Sequence, residues 1–324
     1  MNYARTALLL AALTAIFVAM GAAVGGQGGL VIAFIVALVM NVVSLWKSDT
    51  MVLRMFKAQE VDERTAPDLV NIVRELSKRA ELPMPRVYIM NSPQPNAFAT
   101  GRSPSNAAVC ASTGLLENLT REEVAGVIAH ELAHIKNRDT LTMAVAATIG
   151  GAVSMFAQYL QLGMLFGRGG DRGGAGVIGT LAAVIVAPLA AMMVQMAISR
   201  SREYQADRMG AMIVGNPLWL ASALKKINVL ARRVENPQAE AIPAAAHVFI
   251  INPLNGHGVD NFFSTHPNVD NRVAELEALA REMGVTSSSG SLERDGDSGA
   301  EHGTAPGGIW IGGENQGKSR GPWG

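Results

Sequence analysis

The stretch GVIAHELAHIKNRD, residues 126–139, decides the fold because it combines a helical pattern with a set of metal ligands. Residues four apart lie on one face of a helix, about 5 to 6 Å apart at Cβ, so His130 and His134 can bind one metal ion. Glu131 follows the first histidine directly and can reach a water molecule on that ion. The H-E-x-x-H arrangement therefore predicts a zinc site with an adjacent general base.

The flanks of this motif argue against a chance match, which a pattern with three fixed positions does allow. Thr120 and Glu123 form a capping-box pattern, which predicts that the histidines lie well inside a helix. Three ionisable side chains are costly on a buried helix unless something satisfies them. The apolar residues that predict this burial are Val127, Ile128, Leu132 and Ile135.

A catalytic zinc needs a third protein ligand and an open fourth position. The candidates are Glu203, Asp207, His247, His257 and His266. In SREYQAD, residues 201–207, the two acidic residues are four apart on a predicted helix, so one can bind zinc while the other supports a histidine. A solvated acidic pair has the same spacing, and the spacing alone does not separate these two interpretations.

Apolar runs on both sides of the motif predict membrane spans. Hydrophobic residues make up 49% of the 324 residues and charged residues 17%, which is typical of a membrane protein. Residues 7–24 and 30–46 are each about long enough to cross a bilayer, and the Gly-rich GGQGG between them predicts a transmembrane hairpin. Residues 141–165 and 177–198 predict a second hairpin, although helices this apolar could instead line a protein core.

The distribution of basic residues predicts the orientation in the membrane. The loop of the first hairpin has no basic residue, and that of the second has Arg168 and Arg172. Both termini and the soluble parts are therefore expected in the cytoplasm. The basic residues on that side are Arg5, Lys47, Arg54, Lys57, Lys136, Arg138, Arg200 and Arg202.

The soluble parts have the patterns of a mainly helical domain with a small sheet. A helix is predicted from a capping-box start at Thr65, and strands at 86–90 and 107–112. The later helices are predicted near 199–214, 217–233 and 268–283, followed by a disordered Gly/Ser-rich tail. The net charge of zero indicates no nucleic-acid binding, and the single Cys110 is interpreted as a buried thiol, with redox activity as the less favoured alternative.

Several separated motifs together resemble the HtpX family of membrane-bound zinc endopeptidases, distant relatives of the CAAX prenyl endopeptidases. They are HELAH at 130–134, SREYQAD at 201–207, THPNVDNR from Thr265, and NAFATG at 96–101. The resemblance covers roughly residues 1–284. It implies a gluzincin-like metalloendopeptidase with one Zn²⁺ per chain.

The resemblance also implies roles for individual residues. Glu203 matches the third zinc ligand, and Asp207 matches a partner of a zinc histidine. His266 and Arg272 match positions near the active site, where His266 is expected to stabilise the oxyanion of the tetrahedral intermediate. For His266 a helix-terminal histidine without a catalytic role stays open, and for Arg272 a structural salt bridge.

The expected fold is a membrane α+β protein: a mainly helical, zincin-like metalloprotease domain with a small β-sheet and four transmembrane helices. The expected domains are a hairpin at 1–50, the two parts of the protease domain at 51–140 and 200–284, a second hairpin at 141–199 and a tail at 285–324. The strand at 107–112 either binds an extended substrate at a sheet edge or lies inside the sheet.

The expected function is the cleavage of cytoplasmic segments of misfolded or damaged membrane proteins at a bacterial-type plasma (inner) membrane, a quality-control and stress-response role. The expected partners are polypeptide substrates, the lipid bilayer and possible other quality-control proteases; the oligomeric state is not predicted. Two alternatives stay open. A prenyl-protein processing enzyme would share the chemistry, and a zinc-stabilised scaffold would have no use for Glu131.

Overall fold

The computed structural model describes residues 2–143, 145, 200–231, 233, 250 and 268–287. Most of the second predicted hairpin, His247, His257, His266 and the tail from residue 288 lie outside these residues. The elements are α1 (Asn2–Met55), β1 (Gln59–Val61), α2 (Pro67–Arg79), β2 (Arg86–Met90), β3 (Ala97–Ser103), β4 (Asn106–Ser112), α3 (Thr113–Asn118), α4 (Arg121–Lys136), α5 (Arg200–Val214), α6 (Pro217–Ala231) and α7 (Val269–Glu282).

The long helix α1 reverses direction near Gly26. This glycine has a φ of +57°, a conformation that side-chain-bearing residues rarely adopt. Farther along, the Asn41 amide donates a hydrogen bond of 2.8 Å to the Thr14 hydroxyl. In a straight helix these two residues would be about 40 Å apart. The chain therefore folds back on itself at the GGQGG stretch, as the sequence predicts.

Of the described helices, α1 alone is long and apolar enough to cross a membrane, over Gly26–Val43. Only 6% of this stretch is buried, unlike the core helix of a soluble protein. The four predicted spans are therefore not confirmed, and the second pair lies outside the described residues.

The sheet has four strands in the order β1-β2-β4-β3. β2 and β4 run parallel, whereas β1 pairs with β2 and β3 pairs with β4 in antiparallel fashion. A mainly helical domain with a small mixed sheet is thus confirmed. The strand predicted at 107–112 corresponds to β4, which is paired on both sides, so its interpretation as a sheet edge is wrong.

Alternation along the strands divides the apolar side chains between two faces of the sheet. Val87, Ile89 and Val109 belong to the main core with α2 and α4. Tyr88, Met90, Phe98 and Cys110 form a second cluster with the end of α1. Cys110 is a buried free cysteine, and burial raises the pKa of its thiol, so the structure agrees with an inert core thiol.

The helix N-termini can be compared with the capping residues predicted from the sequence. The predicted capping box of α4 is present, with Thr120 and Glu123 each bonded to the backbone of the other. The predicted cap of α2 is wrong: Ala66 is the N-cap, and the Thr65 hydroxyl instead bonds Asp62 in the preceding turn. Asn216 caps α6 by accepting a hydrogen bond from the Leu218 amide.

Candidate functional site

The candidate metal centre lies where α4 and α5 cross. Gly210 on α5 makes the close approach possible, because a Cβ at this position would lie only 2.8 Å from the His130 backbone nitrogen. The crossing brings the Glu203 carboxylate to His130 and His134. Ligand atoms of these three residues all lie within 4.8 Å of one another, and all three residues are buried.

The distances between these atoms fit a tetrahedral zinc site. The two Nε2 atoms are 3.2 Å apart, and the Glu203 oxygens lie 3.7 Å from His130 Nε2 and 3.6 Å from His134 Nε2. Ligands about 2.05 Å from a tetrahedral ion are separated by about 3.3 Å, close to these values. Two imidazoles and one carboxylate also form the ligand set of known catalytic zinc sites.

A carboxylate lies behind each histidine. His130 Nδ1 is 3.0 Å from Asp207 Oδ1, although this contact is poorly aligned for a hydrogen bond, and His134 Nδ1 is 3.4 Å from Asp139 Oδ2. Such partners favour the proton on Nδ1, which leaves the Nε2 lone pair free for a metal ion. The two supports come from different elements, α5 and the loop after α4.

Two buried arginines hold these carboxylates in place. Arg272 on α7 donates hydrogen bonds of 2.8 and 2.7 Å to the two oxygens of Asp207, and a third of 3.0 Å to the Ile250 carbonyl. Arg202, one residue before Glu203, lies 3.5 Å from Asp139. The sequence places Arg202 among the cytoplasmic flanking charges, but in the structure it is a buried part of the site.

The electrostatics of the site favour a cation. Burial alone would lower the pKa of His134, but the Asp139, Glu203 and Glu131 carboxylates outweigh it and raise the pKa to about 9. Burial lowers the pKa of His130. The same carboxylates that stabilise a proton on His134 would stabilise a divalent ion between the two rings.

Glu131 is buried beside this centre. Burial raises the pKa of its carboxyl group to about 8, and the nearby Glu203 carboxylate adds to the rise. The His134 ring and a hydrogen bond from the Ala99 backbone amide act in the opposite direction. A cation bound beside Glu131 would oppose this rise and favour the carboxylate form, which can accept a proton.

The Ala99 amide shows that β3 is the strand next to the site. β3 is an edge strand of the described sheet, paired only with β4. Thr140 donates a hydrogen bond of 2.9 Å to the Gly101 carbonyl of this strand. The edge strand at the site is thus β3, which contains the NAFATG motif, whereas the strand at 107–112 lies inside the sheet, the second of its two interpretations.

The structure brings together five predicted residues around Glu131 and adds two. The predicted residues are His130, His134, Glu203, Asp207 and Arg272. The added ones are Asp139 and Arg202, neither of which is among the predicted site residues. The spacing of Asp139, five residues after His134 at the end of the helix, was a signal for its role. His266 lies outside the described residues, and its role stays a prediction.

Comparison with known proteins gives a family match and a similar solved structure. The model of peptidase family M48 matches residues 63–280, about two thirds of the chain. The Ste24p crystal structure from S. mikatae is similar at 18% sequence identity with a TM-score of 0.45. The match covers 75% of this chain but 57% of Ste24p. Since the family match includes all the described site residues, the chain belongs to peptidase family M48.

Proposed function

We propose that this protein is a membrane-embedded zinc endopeptidase with Glu131 as its general base. The observation that carries the proposal is the buried set of His130, His134 and Glu203, spaced for a tetrahedral ion, with the Glu131 carboxyl group beside it. The M48 match independently supports a metallopeptidase. One Zn²⁺ per chain is the ion that this ligand set favours.

The proposed reaction is the hydrolysis of a peptide bond. Bound zinc would lower the pKa of a water molecule and polarise the scissile carbonyl. Glu131 accepts the proton of the attacking water and returns it to the leaving amine. The Ala99 amide orients the Glu131 carboxyl group during both transfers. His266 is proposed to stabilise the oxyanion, by resemblance to the family.

The proposed substrates are cytoplasmic segments of misfolded or damaged membrane proteins. The exposed apolar stretch of α1 supports a location in a membrane. The proposed membrane is the bacterial inner membrane, and the distribution of basic residues supports a catalytic domain in the cytoplasm. The edge strand β3 supports binding of an extended polypeptide through main-chain hydrogen bonds, which depends little on sequence. An enzyme of this kind is suited to quality control.

The first test compares Glu131→Gln with Glu203→Ala in purified full-length protein. Glu131→Gln keeps the ligands but removes the base, so we expect full zinc content and a loss of cleavage of an unfolded protein by about 10²-fold or more. Glu203→Ala removes a ligand, so we expect zinc itself to be lost. Zinc content and cleavage rate are measured on the same samples.

The matched control is Glu117→Ala, which removes an exposed carboxylate at the end of α3 and should change neither quantity. Cleavage that persists in Glu131→Gln would contradict the role of this residue. Zinc bound by a folded wild type that cuts no polypeptide would instead favour a zinc-stabilised scaffold.

A further inference from the structure

The second arm of the α1 hairpin is anchored directly to the catalytic domain. Val52, Leu53 and Phe56 at its end are buried against the sheet. The Phe56 ring lies 5.5 Å from the ring of Phe98 on β3. One turn earlier, Asp49 forms a 3.1 Å ion pair with Arg86 at the start of β2. The helix therefore meets the sheet as a rigid support.

This support reaches the catalytic base in three short steps. Phe56 packs on Phe98, the next residue Ala99 belongs to the stretch of β3 that packs against α4, and α4 carries Glu131 beside the metal ligands. The Glu131 carboxyl group is thus on the order of 10 Å from Phe56. The apolar arm thus contacts the edge strand directly, through the packing of Phe56 on Phe98.

The same helix marks where the bilayer ends. Exposed apolar side chains continue through Val42 and Val43 to Trp46, which is 63% exposed. Charged residues begin at Lys47, and tryptophan is typical of the membrane interface. From Trp46 to Phe56 the helix rises about 15 Å. With α1 along the membrane normal, this rise and the distance of about 10 Å between Phe56 and Glu131 place Glu131 about 5 to 25 Å above the interface.

We propose that the end of α1 is a molecular ruler that sets which peptide bonds of a membrane-anchored substrate are cut. An extended chain advances about 3.3 Å per residue, so the reachable bonds lie about two to eight residues from the span of the substrate. Sites deeper in a tail are reached only when the chain loops back. The inference rests on the proposed function and specifies its substrate class as juxtamembrane segments.

The first experiment needs no variant of the enzyme. Full-length protein is reconstituted in lipid vesicles with a single-span substrate whose long unstructured tail consists of identical short repeats. Every position then has the same local sequence. Mass spectrometry of the earliest products should show cuts concentrated within about eight residues of the span. Between roughly the tenth and fortieth residue, the cutting rate should fall about eightfold, because looping probability decreases with length.

The second experiment lengthens the ruler. An insertion of about seven helical residues directly after Lys47 adds two turns and raises the domain by about 10 Å. The cluster of cuts should then move about three residues away from the membrane. The matched control inserts the same residues after Gln27 in the hairpin turn, where the height of the domain does not change and no shift is expected.

Cleavage of a soluble unfolded protein is measured for wild type and both insertion variants. This measurement separates the proposed endopeptidase function from the proposed ruler. Failure of wild type to cut any polypeptide would contradict the proposed function. Even cutting along the tail, or a cut cluster that ignores the Lys47 insertion while soluble substrate is still cleaved, would contradict the ruler alone. If the Lys47 insertion abolishes all cleavage, the distribution of wild-type cuts along the tail alone tests the ruler.

Discussion

Asp139 illustrates how a residue outside the set of metal ligands can hold one of those ligands in position. It lies 3.4 Å from His134 Nδ1 and 3.5 Å from the Arg202 guanidinium group, and it is 1% exposed. Arg202 precedes the third candidate ligand, Glu203, on α5. One buried pair thus connects the end of the H-E-x-x-H helix with the start of the helix that carries Glu203.

Replacing Asp139 should weaken metal binding. Asp139→Ala removes the acceptor behind His134, so we expect zinc affinity to fall about 10- to 100-fold, and Asp139→Asn to recover part of the loss. Chelator competition measures the affinity directly. Asp270→Asn on the exposed first turn of α7 is the control. An unchanged affinity in Asp139→Ala would show that the contact does not orient His134.

At the scale of elements, α5 and α7 are joined through a buried ion pair. Arg272 is fully buried and binds both oxygens of Asp207. Burial would raise the pKa of Asp207, but the Arg272 guanidinium holds it well below its usual range. Because the folded-state pKa lies below the unfolded value of 3.8, this stabilisation is complete at neutral pH and is lost only as the pH falls below that value.

Breaking this pair should destabilise the soluble domain. Arg272→Met leaves the Asp207 carboxylate buried without its partner, which we expect to cost about 3 to 5 kcal/mol in the free energy of unfolding. Arg272→Lys should recover little, because lysine lacks the planar fork. Urea unfolding at pH 7 measures both. Adding Asp207→Asn to Arg272→Met should restore part of the loss, and the exposed Arg281→Met should have almost no effect.

At the scale of the whole molecule, the α1 hairpin sets the arrangement of membrane and catalytic parts. Its arms are in contact through Thr14 and Asn41, and the end of its second arm packs against the sheet. We expect Thr14→Cys with Asn41→Cys, in a Cys110→Ala background, to form an intramolecular disulfide on mild oxidation. The change in mobility on a nonreducing gel detects it.

The single variants Thr14→Cys and Asn41→Cys are the controls for disulfides between molecules. A straight helix would hold the two positions about 40 Å apart and exclude a bond within one chain. A disulfide that forms only between molecules would therefore contradict the hairpin.

Local patterns were sufficient to predict much of this protein. The spacing of His130, Glu131 and His134 identified the motif, and periodicity with turn residues placed β2, α5 and α7 within one or two residues of their observed ends. The strand β3 was missed, because its AFATGRS sequence has neither the β-branched content nor the length of apolar run that signals a strand.

The sequence by itself determined the ligand types, their helical spacing and the apolar hairpin, because these depend on residues close together in the chain. Only the tertiary structure decided which distant groups meet. The close crossing at Gly210 brought Glu203 to the two histidines, and the packing of α7 and the post-α4 loop brought Arg272 and Asp139 to the site. Such contacts arise from helix packing across long stretches of chain, and local spacing carries no record of them.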